Sequence, residues 1–482
     1  MTGGSVGAQD SDYELVCGLE IHIQLKTKTK LFCSCPRDSG GIPNSNICPI
    51  CVGLPGVLPV LNKNALVLAV RASLLLNMQI NKKSYFERKN YFYPDLPKNY
   101  QISQYRIPLA QNGYLEINSG KKIRIQRLHI EEDAGKMIHL ENMSLVDFSR
   151  SGVPLVEIVT YPDISSPEEA YEFLTKLHKI MVWCDVSEGN MEEGHLRCDV
   201  NVSVKPKNSP TLGTKVEIKN VNSFRFIREA IEYEMKRQIG IIKDGGKIVQ
   251  ETRGYDPIAK KTFQMRTKEY AHDYRYFPEP DLLPIVVDDE IIEAARKGIY
   301  ELPEEKKKKM IEKYKISEYS ADVLSSERWL AEFFEELADK VENSNLLASF
   351  ILEEVMRCHN EGLINIKNSE DREKVKKYVY EVIKAQEKGV ITRNSAKEAF
   401  REAISQNIDI AESIGKRKVE SEEDKIIKAI EDVIRENPKE VERFKKGEKK
   451  LLGFFIGEVM KKIDKKGDPK VVKEMLEKKL QE

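Results

Sequence analysis

Tyr13-Glu14-Leu15-Val16-Cys17-Gly18-Leu19-Glu20-Ile21-His22-Ile23-Gln24-Leu25 alternates cleanly. Leu15, Cys17, Leu19, Ile21, Ile23 and Leu25 share one parity; Glu20, His22 and Gln24 share the other. Successive side chains of a strand point to opposite faces, so this segment predicts a half-buried strand with Glu20 and His22 one repeat apart on its polar side. The pattern recurs from His195 to Lys205, where Leu196, Cys198, Val200, Val202 and Val204 oppose Arg197, Asp199 and Asn201. It recurs again where Val216 and Ile218 oppose Lys215, Glu217 and Lys219. A fourth run, Val153 to Thr160, is almost continuously apolar around Glu157, as expected of a strand covered on both sides. A lone carboxylate there is costly unless paired or metal-bound.

Outward from these strands, the 482 residues suggest about three domains. Before residue 290, short β-type runs alternate with Gly, Pro and Asn turns, interrupted by a helix opening at Ser166-Pro167-Glu168-Glu169 and another from about Phe224 to Gln238. After it the chain is amphipathic helix, rich in Lys and Glu, with a turn-like stretch near Ser413 to Asp424. The expected class is therefore α+β: a flexible leader (1–12), a region with a largely antiparallel sheet and flanking helices (13–292), an all-α region (293–412) and a small all-α tail (413–482). Lys plus Arg and Asp plus Glu both number 78, which excludes a basic field over the whole protein but not a local patch. The most apolar stretch, Ala65 to Met78, carries Arg71 and is too short to span a bilayer. No signal peptide is visible, so the eight cysteines are expected as reduced thiols in the cytoplasm, with no membrane partner.

Three features carry chemistry. Arg127-Leu128-His129-Ile130-Glu131-Glu132-Asp133-Ala134-Gly135-Lys136 ends a strand in three acids. Acids and a His converging from several strands would suit a hard cation such as Mg²⁺; the plainer reading is the polar faces of half-exposed strands. Cys33-Ser34-Cys35 followed by Cys48-Pro49-Ile50-Cys51 matches a tetrahedral Cys₄ structural zinc site, with free thiols or an iron–sulfur cluster as alternatives. Glu87-Arg88-Lys89-Asn90-Tyr91-Phe92-Tyr93-Pro94-Asp95 sets a Lys and an Arg beside three aromatics, either a site for a phosphorylated ligand with a base to stack or an aromatic core with Lys89 at its rim. Asp273-Tyr274-Arg275-Tyr276-Phe277-Pro278-Glu279-Pro280-Asp281 is similar in kind. No Walker loop, dinucleotide-binding glycine motif or hydrolase elbow occurs. In the tail, Lys445-Lys446, Lys449-Lys450, Lys461-Lys462 and Lys465-Lys466 read as solvated helix faces or as a phosphate-backbone patch for RNA.

Gly18-Leu19-Glu20-Ile21-His22, Pro43-Asn44-Ser45-Asn46, the Arg88 to Asp95 and Leu128 to Lys136 segments, Arg197-Cys198-Asp199 and the Asp273 to Asp281 segment resemble the B subunits of the tRNA-dependent Asp/Glu amidotransferases, over nearly the whole chain. That resemblance implies a cradle-shaped catalytic domain, a helical domain and a tail of the YqeY type. It implies a ligase that forms a carbon–nitrogen bond with glutamine as amido donor, in a heterotrimer with an amidase A subunit and a small C subunit. Its substrate would be misacylated Glu-tRNA(Gln) and/or Asp-tRNA(Asn), activated with ATP and amidated by channelled ammonia. By motif, Glu20, His22, Glu132 and Glu217 would form or flank the magnesium site, with Glu157 and Asp199 as supporting acids. Lys89 would contact the transferring phosphoryl group, and Arg88, Tyr91 and Tyr93 would complete the ATP-binding wall; His22, Glu132 and Asp199 stand beside Lys89 as catalytic candidates. Not all members of the family carry the four cysteines, which favours a stabilising over a catalytic metal. A zinc-containing RNA-binding protein without catalysis and a metal-dependent phosphohydrolase acting alone are the competing readings.

Overall fold

The computed structural model describes residues 12–38, 41–219, 221–267, 273–366, 369–417, 422–463 and 469–481; most of the expected leader and the Lys465-Lys466 pair lie outside them. The chain divides into two compact units, Met1–Leu302 and Pro303–Glu482.

In chain order the first unit comprises β1 (Tyr13–Gln24), α1 (Lys63–Leu75), β2 (Gln79–Ile80), β3 (Lys83–Ser84), β4 (Glu87–Asn90), β5 (Tyr100–Ser103), β6 (Ala110–Glu116) and β7 (Lys122–Glu132). There follow β8 (Lys136–His139), β9 (Ser144–Asp147), β10 (Pro154–Thr160), α2 (Pro167–Trp183), β11 (Leu196–Pro206), β12 (Val216–Ile218) and α3 (Phe224–Lys243). The unit closes with β13 (Glu251–Asp256), β14 (Lys261–Thr267), β15 (Phe277–Pro278), β16 (Ile285–Val286) and α4 (Asp289–Arg296). Nine strands form one sheet in the order β14-β13-β12-β11-β1-β10-β7-β6-β2. Its pairs are antiparallel except β12 with β13, so the expected α+β class holds.

The alternation of β1 places it at the centre of this sheet. Ile21 lies opposite Ile158 of β10 and Cys198 of β11, and Ile158 lies opposite Leu128 of β7. These residues are essentially inaccessible and form one apolar face; α1, α2 and α3 pack on the sheet. Truncating such a side chain, for example Ile21→Ala, removes about 2–5 kcal/mol. The two helices that the sequence predicts in this unit start where expected: Ser166 accepts a hydrogen bond from the Glu169 amide, and Ser223 accepts one from the Phe226 amide. Asn62 caps α1 in the same way, accepting from the amides of Asn64 and Ala65. At the far end of the unit, α4 is tied to α1 by Lys63–Glu290 (2.8 Å) and by Arg71 Nε donating to the Ala295 carbonyl (3.1 Å). No helix among the described residues is long and apolar enough to cross a membrane.

The second unit is helical from Pro303–Tyr314 to Pro469–Gln481. Phe333, Phe334, Leu347, Val379 and Phe400 are among its fully buried side chains. Near the end of the chain a separate apolar cluster gathers Ile430, Val433, Phe455, Val459, Val472 and Leu476. Some tail lysines are engaged locally: Lys446 with Glu442 (2.8 Å), Lys461 with Glu458 (2.6 Å) and Lys462 with Glu436 (2.6 Å).

Candidate active site and cysteine cluster

The register that buries Ile21 also assembles the polar face. His22 lies opposite Glu157, and Glu157 opposite His129. On the other flank Glu20 lies opposite Asp199 and His22 opposite Arg197. His22 Nε2 stands 3.2 Å from Glu157 and 3.4 Å from Glu131. His129 Nε2 is 3.7 Å from the same two carboxylates. Two overlapping sets of donor atoms, Glu20–His22–Glu157 and His129–Glu131–Glu157, each lie within 4.8 Å of one another and share Glu157.

The electrostatics follow from burial against pairing. Burial alone would lower the His22 imidazole, but Glu131 and Glu157 raise it to about 10. Burial would raise Glu157, yet His129 and His22 hold it at about 2. Glu131 is likewise kept well below the carboxylate range, against burial, by His129, His22 and Lys89. Glu20 is pushed up, first by burial and then by Glu157. A cation among these acids would relieve the repulsion between Glu20 and Glu157 and would compete with the His22 proton for the same carboxylates. The mostly carboxylate donor set suits a hard divalent cation.

Lys89 reaches this cluster from β4. Burial would lower its ammonium, but Glu131, Tyr276 and Glu157 raise it overall. Its Nζ lies 5.0 Å from the Tyr274 ring centroid and 6.0 Å from that of Tyr91. The two aromatic segments of the sequence thus meet. β15 pairs with β4, the Asn90 amide donates to the Tyr274 carbonyl (2.9 Å), and Tyr276 stacks on Tyr105 at 4.3 Å. Arg88, on the opposite face of β4, is held by Glu279 (2.7 and 2.9 Å) and Asp281 (3.2 Å). Tyr93 is exposed. A cavity of about 1550 Å³ opens beside His22, Arg197, Asp199 and Lys219.

The sulfurs of Cys33, Cys35, Cys48 and Cys51 lie within 4.8 Å of one another. Zinc–sulfur bonds of ~2.3 Å put the edges of a thiolate tetrahedron at about 3.8 Å, so the four donors fit one ion. A second observation supports a metal. Lys30 is fully buried, and its Nζ is 3.7 Å from Cys51 Sγ. An interior ammonium needs a negative partner, which a four-thiolate divalent site supplies. The Cys51 thiol is lowered, first by a hydrogen bond from Cys33, with the Cys48 backbone and Lys30 adding to it against burial.

The GatB/GatE catalytic domain model matches residues 15–293, and a GatB domain model matches residues 332–480. The B subunit of an aspartyl/glutamyl-tRNA(Asn/Gln) amidotransferase from Persephonella marina is 49% identical over 97% of this chain and 99% of its own. That of Thermodesulfovibrio yellowstonii is 49% identical over 98% and 100%, and that of Carboxydothermus hydrogenoformans 48% over 97% and 99%. The chain belongs to the family of amidotransferase B subunits.

As a member of that family, the chain assembles some of the motif-derived residues and separates others. Glu20, His22 and Glu157 converge, with Lys89 beside them. Glu132 does not join them. Its carboxylate faces the other side of the sheet, pairs with Lys98, accepts from the Ile102 amide (2.9 Å) and borders a smaller cavity next to Cys33 and Cys51. Glu131 is the residue of that run which meets His22. Glu217 accepts from Thr252 Oγ1 (3.0 Å) and lies 3.4 Å from Lys219, which is itself 2.5 Å from Asp199. It therefore borders the cluster through Lys219 rather than sharing its donor triads. The sequence places His129, Glu131 and Lys219 in polar strand segments but gives none of them a role of its own. The period of two running back from Glu131 through His129 to Arg127 was the available signal.

Proposed function

We propose that this amidotransferase family member uses the polar face around His22 to activate the side-chain carboxylate of misacylated Glu-tRNA(Gln) and/or Asp-tRNA(Asn) with ATP, and that ammonia then displaces phosphate. The convergence of Glu20, His22, Glu131 and Glu157 beside the Lys89 ammonium, with His22 opening on a cavity, carries this reading. A carboxylate resists ammonia because oxide would have to leave. Transfer of the γ-phosphoryl group to its oxygen releases ADP, and ammonia attack then expels phosphate and leaves the amide. Phosphoryl transfer needs positioning and charge neutralisation rather than a protein nucleophile. Glu20, His22 and Glu157, with Glu131, would hold Mg²⁺, which when bound neutralises charge on the phosphoryl oxygens. Lys89 adds a positive charge at the transferring group, Tyr91 and Tyr274 wall it, and Arg88 secures the wall through Glu279. Asp199 and Glu217 orient Lys219 at the rim, and the four cysteines hold structural zinc.

In this reading the catalytic cradle runs from residue 13 to Leu302, because α4 packs on α1 in the first unit, and is followed by a helical domain and, at 413–482, a tail whose lysines face the tRNA body. The partners are an amidase A subunit that releases ammonia from glutamine and a small C subunit, in the cytoplasm. The non-catalytic RNA-binding reading is set aside. Family membership speaks against it, and an acid-lined face repels phosphates unless a cation intervenes.

Lys89→Ala, assembled with the partner subunits, is expected to lose ATP-driven amidation of misacylated tRNA by on the order of 10²-fold or more while keeping its melting temperature. Normal carboxylate activation in that variant would refute the assignment. Glutaminase activity belongs to the partner and is not the readout.

A further inference from the structure

The loop between the two cysteine pairs carries the Pro43-Asn44-Ser45-Asn46 motif, to which the activation chemistry assigns no role. Its residues Arg37, Asp38, Gly41, Pro43 and Asn44 themselves line the large cavity. Asn44 has a left-handed backbone (φ +56°), a conformation asparagine tolerates better than most residues. Its amide donates to Asp147 Oδ1 (2.9 Å) and Ser149 Oγ (2.8 Å), and its Nδ2 to the Val146 carbonyl (3.1 Å). Its Oδ1 accepts from the Phe148 amide (2.7 Å). Asn44 therefore grips the end of the β8–β9 hairpin, whose Ile138 and Leu145 line one wall.

Arg37 performs the same task on the other side. It is nearly inaccessible, donates to Glu188 (2.5 Å) and to the Leu25 carbonyl (3.3 Å), and pairs with Asp38. Glu188 lies 3.8 Å from His195, and the His195 carbonyl accepts from the Gln24 amide (2.8 Å). His195, Glu193 and Met191 line the second wall. The cysteine pairs close the base of this loop. The Lys30 amide donates to the Cys35 carbonyl (2.9 Å), and Ser151 Oγ to the Cys51 carbonyl (3.2 Å).

We infer that Asn44 and Arg37 are positioning residues: the loop clamped by the four cysteines braces both walls of the cavity, so that metal in the knuckle sets the shape of the substrate site. As a substrate-positioning device the brace rests on the activation reading above; as a mechanical coupling it does not.

Hydrogen exchange on the full chain tests the coupling without turnover. Asn44→Gly keeps the backbone conformation and removes two side-chain hydrogen bonds. It is expected to speed exchange about tenfold in 136–148 and to leave 188–195 unchanged. Arg37→Gln is expected to do the reverse, and stripping the metal with a chelator to do both. Loosening confined to residues 33–51 on stripping, with both walls unchanged, would overturn the brace. In the assembled complex each variant is expected to raise KM for the misacylated tRNA several-fold with a smaller change in kcat. A fall in kcat at unchanged KM would overturn the positioning role. A wild-type complex without ATP-driven amidation would instead overturn the activation chemistry, leaving the exchange result to decide the brace.

Discussion

The four cysteines of the knuckle lie between residues 33 and 51, whereas the carboxylates and imidazole around His22 come from positions 20, 22, 131 and 157, on three strands. The first set depends on a short loop and local backbone hydrogen bonds. The second depends on the register of β1 with β10 and of β10 with β7, where a slip of one residue would send every side chain to the other face. A local ligand set can be lost while the sheet core stands, loosening the knuckle and the two cavity walls that its loop braces. A sheet-borne set stands or falls with the pairing that also builds the core.

The sharpest way to break this contrast uses the adjacent acids Glu131 and Glu132, which point to opposite faces. Glu131→Gln is expected to lower ATP-driven amidation by on the order of 10²–10³-fold. Glu132→Gln is expected to act first on stability, since it leaves Lys98 without its buried partner at a cost of about 3 kcal/mol. Equal activity losses with unchanged melting would show that facing does not separate the two. The next largest effect concerns the knuckle. Cys33→Ser/Cys48→Ser is expected to lose its bound metal and to lower Tm by roughly 5 °C or more, checked by metal analysis and thermal melting. Unchanged zinc content would remove the ligand assignment. Lys30→Met sharpens the local side. It keeps the volume of the buried stem and removes the ammonium near Cys51, so the metal should pass to a competing chelator about tenfold faster. The smallest effect is expected in the helical unit. Burial opposes ionisation of Glu336, but Lys376 and Arg372 hold its carboxyl below the ordinary range. A carboxyl lowered on folding adds stability that is present above its unfolded pKa and lost as the pH falls through the folded one. Glu336→Gln should therefore cost less than about 1 kcal/mol at neutral pH and nothing measurable in acid, read from urea melts at the two pH values.

Much of the candidate site was legible. The alternation of β1 put Glu20 and His22 on one face, and the apolar run around Glu157 marked β10 as a covered strand; both hold in the structure. The cysteine spacing announced a cluster because its geometry is a property of one loop. Glu131 was not distinguishable from Glu132 in the sequence. Three consecutive acids carry no label for the inner and outer face until β7 is registered against β10. Arg88 and Lys89 pose the same problem at β4, where pairing with β15 gives Arg88 to Glu279 and leaves Lys89 facing the acids. Arg37 offered no signal, since its partner Glu188 lies 151 positions away.

What the amino-acid order determined alone is the periodicity: which residues form strands and helices, which parity of each strand is apolar, and which four thiols sit close enough to share an ion. Those properties arise from neighbours a few residues apart. Which polar parities meet across the sheet, which acid faces the lysine and which loop touches both walls of the cavity were decided by long-range pairing. Strand register is set by burying the apolar face as a whole, and no single segment contains that information.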